Sequence, residues 1–307
     1  MTALPPPDPA TFRPPVVSTV RAFAPPRPPA PTLPVRAAVG AIVVLTFSLL
    51  ASKFVLEALV DLDWPLVVYV LILATLGYGP SVLWCRYVSR HWGSGSLRSD
   101  IGLAPRWADL GWGPVIWLAA LGAQIVLAAV IVGLGVPVSN NTDGITDLQT
   151  DRTYVVSIVI TAVIAAPIVE EMVFRGVVLR GLRSATPTVL AIVLQGVLFG
   201  CAHADPVRGR GNVGLVLVLS GVGITFGAAA FLLRRIGPTI VAHAIFNGVV
   251  LLIVLTGVAD RLQDSDASGP GSGREQRAVV DQSHVSEERR GRDAHSIVGM
   301  RLEVGHR

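Results

Sequence analysis

Residues 153–175 read TYVVSIVITAVIAAPIVEEMVFR. The first seventeen of them are almost wholly apolar, close to the length of about 20 residues that an α-helix needs to cross the hydrocarbon core of a bilayer. Two adjacent carboxylates, Glu170 and Glu171, follow directly, and Arg175 ends the stretch. An ionised carboxylate at membrane depth costs roughly 2.5 to 3.5 kcal/mol even on the mildest insertion scale. The pattern therefore predicts partners or a polar cavity for both glutamates.

The composition of the chain is that of a polytopic helical membrane protein. Of its 307 residues, 51% are hydrophobic and only 15% are charged, and the mean hydropathy is +0.60. Soluble domains carry about 25% charged residues. We therefore predict an all-α membrane protein with about seven transmembrane helices, within a range of six to eight. The predicted spans are 37–60, 64–85, 112–136, 153–175, 187–204, 213–233 and 237–257.

The two ends of the chain differ in composition from its apolar middle. The first 35 residues hold 12 of the 22 prolines, and residues 258–307 are rich in charged residues, serine and glycine. Neither end has a long apolar run, so we predict a proline-rich disordered segment over 1–35 and a charged disordered tail over 258–307. Residues 36–150 are predicted to form the N-terminal transmembrane helices with their loops, and 151–257 a second membrane unit.

The charges between the apolar runs predict an orientation. Arginines follow the second, fourth and sixth apolar runs, whereas aspartates occupy the loops between them. Arg208 and Arg210 are the exception to this pattern, because they follow the fifth run. By the positive-inside rule, we expect a cytoplasmic N-terminus. We expect the protein itself to be an integral protein of the cell membrane. The formal net charge is only +4, without a basic patch, so nucleic-acid binding is not predicted. Cys85 and Cys201 both belong to apolar runs and predict no disulfide framework or thiolate metal cluster.

The spacing of the charged stretch predicts different roles for its two glutamates. Glu171 and Arg175 are four residues apart, in the order that favours an ion pair on a helix. Glu170 is rotated by about 100° from Glu171 and is left without this partner. We therefore predict that Arg175 neutralises Glu171 and that Glu170 remains free, as a general base that activates water.

Three further polar side chains lie in or at the mouth of apolar runs. His203 ends the fifth run, and His243 and Asn247 lie four residues apart in the seventh, on one face of a helix. The two histidines are predicted to hold the water or a metal beside Glu170. Each residue also has a structural interpretation, because an intramembrane histidine or asparagine can simply bond two helices together. A proton or ion pathway is the third interpretation of this set.

Three short motifs follow one another on these apolar runs: Glu170-Glu171-x-x-x-Arg175, Phe199-x-x-x-His203 and His243-x-x-x-Asn247. In this order they resemble the CPBP family of intramembrane proteases, which includes the CAAX prenyl endopeptidases and bacteriocin-processing or immunity proteins. The resemblance covers about residues 150–257. It implies a catalytic membrane domain over 151–257, with a cavity formed by the last four helices.

The resemblance implies a role for each matching residue. Glu170 would be the catalytic carboxylate that activates water, assisted by His203. His243 would hold that water or a metal, and Asn247 would stabilise the oxyanion of the tetrahedral intermediate. Three residues would support the site: Glu171, Arg175 and, as a packing wall, Phe199.

Metal dependence stays open at this point. Glu170, His203 and His243 could fill three positions of a zinc site and leave the fourth to water. The sequence lacks the His-Glu-x-x-His arrangement of well-understood zinc proteases. We expect a glutamate mechanism without metal, with a divalent metal such as zinc as the alternative.

The expected function is therefore that of an intramembrane endopeptidase. It would hydrolyse peptide bonds of membrane-associated protein or peptide substrates in the lipid bilayer, with water activated by Glu170 and His203. The alternative is a non-proteolytic immunity or scaffold protein of the same fold, although a scaffold has no need to bury so much polarity. A transporter would predict internal repeat symmetry, which the sequence does not display.

Overall fold

A computed structural model describes residues 33–138, 152–204 and 211–257. Within these ranges the chain forms helices and no β-strand. Nearly all of the proline-rich segment and the whole charged tail lie outside the described residues, as do Arg208 and Arg210. The disorder predicted for the two ends therefore stays a prediction.

Six helices are long and apolar enough to cross a bilayer, which confirms the all-α polytopic membrane fold. In chain order the apolar helices are α1 (Val35–Leu59), α2 (Leu66–Trp92), α3 (Asp109–Gly133), α4 (Arg152–Leu182), α5 (Thr188–Cys201), α6 (Gly211–Leu233) and α7 (Gly237–Thr256). Helix α5 is the short one. Its 14 residues rise about 21 Å, against about 30 Å for a hydrocarbon core. The described part of the chain thus holds six full spans, within the predicted range.

Helix α2 continues for seven residues beyond the predicted end of its apolar run at residue 85. The added part is amphipathic. Cys85, Val88 and Ser89 are buried on one face, whereas Arg86 and Arg90 are exposed. A helical period of 3.6 residues thus persists after the mean hydropathy has fallen, which a prediction based on apolar length alone misses.

Two helices widen just before an internal proline. One π-helical stretch spans Leu73–Tyr78 in α2 and another Ile160–Ala165 in α4, and each ends two residues before a proline, Pro80 or Pro167. Proline has no N–H, and its ring clashes with the carbonyl four residues earlier, so a widened turn lets the helix continue past it. These two stretches lie in the helices that carry Tyr78 and Glu170.

Glycines allow α5 and α6 to approach each other closely. A Cβ atom added to Gly223 would lie 2.8 Å from the backbone oxygen of Gly196, closer than packed atoms tolerate. Gly200 likewise faces the backbone of Val216 and the side chain of Ser220. This contact gives the glycines a role in helix packing. It also places the carbonyl of Gly223 beside α4.

The loop between α2 and α3 joins one end of α4 to the start of α7. Arg180 of α4 donates to the carbonyl oxygen of Asp100 at 3.0 Å, and the N–H of Ile236, just before α7, donates to the carbonyl oxygen of Gly102 at 3.0 Å. The loop thereby fixes the relative height of α4 and α7, the two helices that carry Glu170 and His243.

Candidate active site

Glu170 lies where three elements of the fold meet. Its Oε2 atom lies 3.9 Å from Nε2 of His203, which follows α5, and 3.8 Å from Nε2 of His243 on α7. These separations are too long for direct hydrogen bonds, but they suit a water molecule between the groups. Oε2 is buried and has no hydrogen-bond partner among the described residues. The structure thus brings together the three residues on which the predicted chemistry depends.

Each histidine is oriented through its other ring nitrogen. Nδ1 of His203 lies 2.8 Å from the carbonyl oxygen of Phe199, and Nδ1 of His243 lies 3.1 Å from Oε1 of Glu171. Carbonyl and carboxylate oxygens only accept hydrogen bonds, so both Nδ1 atoms carry the hydrogen. In the neutral rings both Nε2 atoms then present a lone pair towards Glu170.

The centre of the site therefore consists of three hydrogen-bond acceptors that face one another. They are two imidazole nitrogens and one carboxylate oxygen, and a water molecule has two hydrogens to share among them. The third acceptor is satisfied if one imidazole is protonated, or if a cation takes the place of the water. Either way, the arrangement suits a small polar species beside Oε2 of Glu170.

The three groups are of the types that bind zinc, but they are spaced more widely than the ligands of a zinc site. Zinc bonds to nitrogen and oxygen measure about 2.0 to 2.2 Å, so neighbouring donors of a tetrahedral site lie about 3.4 Å apart. The two separations here are 3.9 and 3.8 Å. In the part of the chain that the structure describes, no group of three His, Cys, Asp or Glu side chains has the geometry of a metal site. The separations are about 0.4 to 0.5 Å wider than zinc ligands take, and no step below uses a metal.

Glu171 and Arg175 form an ion pair in the interior of the protein. Nη1 of Arg175 lies 2.8 Å from Oε1 of Glu171, and neither side chain is exposed to solvent. Nη2 of Arg175 donates to the carbonyl oxygen of Gly223 at 3.2 Å. Because Oε1 of Glu171 also accepts from His243, the ion pair does more than neutralise charge: it holds the imidazole that faces Glu170.

Phe199 packs against Arg175 of the ion pair and against both histidine rings. Its ring centroid lies 4.7 Å from that of His203 and 5.7 Å from that of His243. The guanidinium of Arg175 lies 4.5 Å from the same ring, within the range of a cation–π contact. The ring of Phe199 thus contacts both the ion pair and the two histidines.

Asn247 bonds to a backbone carbonyl that has lost its own donor. Its Nδ2 atom donates to the carbonyl oxygen of Ala162 at 2.8 Å. In this widened turn of α4 the N–H groups bond five residues back, as Ala166 does to Thr161. The next donor in that series would be residue 167, but Pro167 has no N–H, so the carbonyl of Ala162 is left over. Asn247 supplies the missing donor from α7, as membrane helices with internal prolines require.

This bond directs Asn247 towards α4. Among the described residues, no hydrogen bond or ion pair joins Asn247 to Glu170, His203 or His243. The amide has a second N–H, and the predicted oxyanion role therefore depends on that hydrogen alone.

The bond between Asn247 and Ala162 makes a testable prediction about stability. We expect Asn247→Ala to lower the free energy of unfolding by about 1 kcal/mol in the wild-type chain. In a Pro167→Ala background the loss should be much smaller, because the new N–H of residue 167 can reach the carbonyl of Ala162. Reversible unfolding of wild type, the two single variants and the double variant in detergent measures the coupling between Asn247 and Pro167. Equal losses in the two backgrounds would show that Asn247 does not replace the missing N–H.

Tyr78 is a member of the site that the sequence did not predict. Its hydroxyl donates to Oε1 of Glu170 at 3.0 Å, across 92 positions of sequence. No charge or motif marks it, since a tyrosine within an apolar run is ordinary. The sequence offers one local signal, because Gly77 and Gly79 flank Tyr78 just before Pro80. This signal indicates an irregular backbone and says nothing about a role for the tyrosine side chain.

The cavity beside Glu170 has a volume of about 130 Å³. At about 30 Å³ for each water molecule, it has room for several. The prediction that the last four helices form the cavity holds only in part, because α1 and α2 line it together with α4 and the residues after α5, whereas α6 and α7 contribute no lining residue. Its lining residues are Leu45, Leu49, Tyr78, Glu170, Phe174, Ala202 and His203.

Comparison with known proteins supports the predicted resemblance. Residues 152–249 match the family model described as type II CAAX prenyl endopeptidase Rce1-like. The chain is 29% identical over 166 residues to the "Putative membrane peptidase YdiL" of Bacillus subtilis (strain 168), a match that covers 54% of this chain and 63% of that protein. No solved structure matches the chain significantly. The resemblance to the CPBP family of intramembrane proteases is thus confirmed.

Proposed function

We propose, on the premise of this family resemblance, that the protein is an intramembrane endopeptidase in which Glu170 and His203 activate the attacking water. The observation that carries the proposal is the buried Oε2 atom of Glu170. It has no hydrogen-bond partner among the residues described, yet it faces two imidazole nitrogens at 3.9 and 3.8 Å. A buried carboxylate oxygen without a partner costs folding free energy, which is typical of a site kept for chemistry.

The proposed reaction begins with a water molecule between Oε2 of Glu170 and Nε2 of His203. Glu170 takes one proton of the water while the water oxygen bonds to the peptide carbonyl carbon. The carbonyl oxygen then becomes an oxyanion. Nε2 of His203 and Nε2 of His243 share the second hydrogen of the water and so orient it. As the carbon–nitrogen bond breaks, Glu170 passes its proton to the leaving nitrogen. Asn247 donates its second N–H to the oxyanion.

The exposure of the site residues supports the access of water to this centre. The side chains of Glu170 and His203 are 12% and 25% exposed, whereas those of Glu171 and Arg175 are fully buried. The two glutamates thus differ in environment as well as in partner. We propose that Glu170 meets water and substrate from the cavity and that the ion pair stays dry behind it.

The substrates that fit this site are membrane-associated proteins or peptides. A peptide bond must reach Glu170 within the depth of the bilayer, so the lipid bilayer is the medium of the reaction and part of the recognition. We place the protein in the cell membrane with a cytoplasmic N-terminus, as the loop charges predict.

A non-proteolytic immunity or scaffold protein of the same fold is the alternative. Such a protein would keep the ion pair of Glu171 and Arg175 as a structural element, but it would have no need to leave Oε2 of Glu170 without a partner beside two histidines. The geometry around Glu170 therefore favours the enzyme.

Cleavage of membrane-anchored peptides tests this function. We expect wild-type protein in liposomes to cleave members of a fluorogenic peptide library anchored by an apolar segment, presented with and without a prenylated C-terminal cysteine. His203→Ala should lower kcat/KM about 100-fold or more, because it removes an activating group. His91→Ala is the matched control, since His91 is an exposed histidine at the end of α2.

Two outcomes would contradict the proposal. The first is that no anchored peptide is cleaved, or that His203→Ala cleaves as fast as wild type, either of which argues against the protease. The second is that a chelator abolishes cleavage and zinc restores it, which would overturn the metal-free mechanism while leaving the protease intact.

A further inference from the structure

Oxygen Oε1 of Glu170 is occupied, whereas Oε2 is not. Oε1 accepts a hydrogen bond of 3.0 Å from the hydroxyl of Tyr78, and Oε2 faces the two histidines without a partner in the described part of the chain. The two oxygens of an isolated carboxylate are equivalent, so this asymmetry is imposed by the protein. It comes from α2, which lies outside the three sequence motifs.

The backbone that carries Tyr78 is held firmly by α1. Oγ of Ser48 donates to the carbonyl oxygen of Gly77 at 2.7 Å, and both the serine and the glycine are buried. A Cβ added to Gly77 would come within 3.2 Å of the side chain of Leu49, so α1 packs directly against this point. The π-helical stretch Leu73–Tyr78 ends here, and its widened turn sets the direction of the tyrosine side chain.

We propose that Tyr78 is a positioning residue that occupies Oε1 of Glu170 and so makes Oε2 the oxygen that takes the proton from water. This inference rests on the proposed function. A carboxylate oxygen that already accepts the Tyr78 hydrogen bond is the poorer site for a proton. The proton taken from water therefore resides on Oε2, next to His203 and His243, where the leaving nitrogen can collect it.

The same contact fixes the rotation of the carboxylate. Without a partner on Oε1, the plane of the Glu170 carboxyl group could turn, and Oε2 could leave the point that lies 3.9 and 3.8 Å from the two imidazoles. General bases act efficiently only within hydrogen-bond reach of the proton that they remove. Loss of the Tyr78 hydroxyl should therefore slow the chemical step and leave substrate binding largely unchanged.

The test compares Tyr78→Phe with Tyr69→Phe in full-length protein in liposomes. Tyr69 is the matched control because it lies on the same helix and its hydroxyl also bonds, to the carbonyl oxygen of Leu59 at 3.1 Å, but away from Glu170. We expect Tyr78→Phe to lower kcat about tenfold with KM changed less than twofold. Tyr69→Phe should keep the wild-type kcat. A raised KM at unchanged kcat for Tyr78→Phe would overturn the proposal.

Infrared spectroscopy provides a second readout that does not depend on turnover. The carboxylate stretching band of Glu170 is identified as the band lost in Glu170→Gln. We expect this band to shift in Tyr78→Phe, which removes a hydrogen bond from the carboxylate, and to stay in place in Tyr69→Phe. An unshifted band in a folded Tyr78→Phe protein would show that the bond does not exist and would overturn the proposal.

The two readouts separate this inference from the proposed function. Undiminished cleavage by Glu170→Gln would overturn the function, and the positioning role with it, even if the infrared band still shifts. Loss of cleavage in Glu170→Gln together with normal kcat in Tyr78→Phe would overturn the role of Tyr78 alone.

Discussion

The Glu170→Gln variant is expected to cleave peptides about a thousand times more slowly than wild type, or slower still, while it keeps its fold. The amide has the shape of the carboxylate, and its oxygen can still accept from Tyr78. It cannot take a proton from water, and general-base catalysis contributes about 10² to 10⁴ to a rate. The effect should fall on kcat, measured with an anchored fluorogenic peptide in liposomes, and the unfolding transition should stay within about 1 kcal/mol of wild type.

The matched control for this variant is Glu57→Gln. Glu57 is an exposed carboxylate on α1, and its neutralisation removes the same charge from the chain without touching the cavity. Normal cleavage by Glu57→Gln with loss in Glu170→Gln would assign the effect to the site. Equal rates in wild type and Glu170→Gln would remove Glu170 from the mechanism.

Arg175→Met is expected to lower the free energy of unfolding by about 3 to 5 kcal/mol, the range measured when one partner of a buried ion pair is removed. Glu171 would then be a buried carboxylate without its cation, and of the two side chains that donate to the carbonyl of Gly223, Gln195 would remain, at 2.8 Å. Methionine fills a similar length, so the loss reflects charge more than volume. Reversible unfolding in detergent at neutral pH measures it.

A double variant and a surface control complete this experiment. Glu171→Gln combined with Arg175→Met removes both charges, so we expect it to be more stable than Arg175→Met alone. Arg183→Met should cost less than about 1 kcal/mol, because Arg183 is exposed and lies over the ring of Phe231 at the surface. An Arg175→Met protein that unfolds like Arg183→Met would mean that the buried ion pair contributes nothing to stability.

The parts of the site that the sequence predicts are those that stand out against an apolar background. Glu170, His203 and His243 are conspicuous because ionisable residues are rare in membrane spans, and the pairing of Glu171 with Arg175 follows from local helix geometry. Both kinds of signal require only the residue type and its position along one helix. They also sufficed for the fold, because the apolar runs mark the spans.

The parts that the sequence did not predict depend on register or on distant contacts. Tyr78 reaches Glu170 from another helix, and its apolar ring gives no contrast within the run that contains it. The bond from Asn247 to Ala162 exists because the backbone before Pro167 bonds five residues back instead of four. The proline is visible in the sequence, but whether the helix breaks, kinks or widens before it depends on how the neighbouring helices pack.

The short length of α5 has a consequence for the bilayer around the protein. A helix of about 21 Å beside spans of about 30 Å or more should create a local hydrophobic mismatch, which lipids relieve by thinning. His203 follows the end of this short helix, so the thinned zone lies beside the proposed water site. We therefore expect the acyl-chain length of the host membrane to influence how readily water reaches Glu170, with easier access in a thin bilayer.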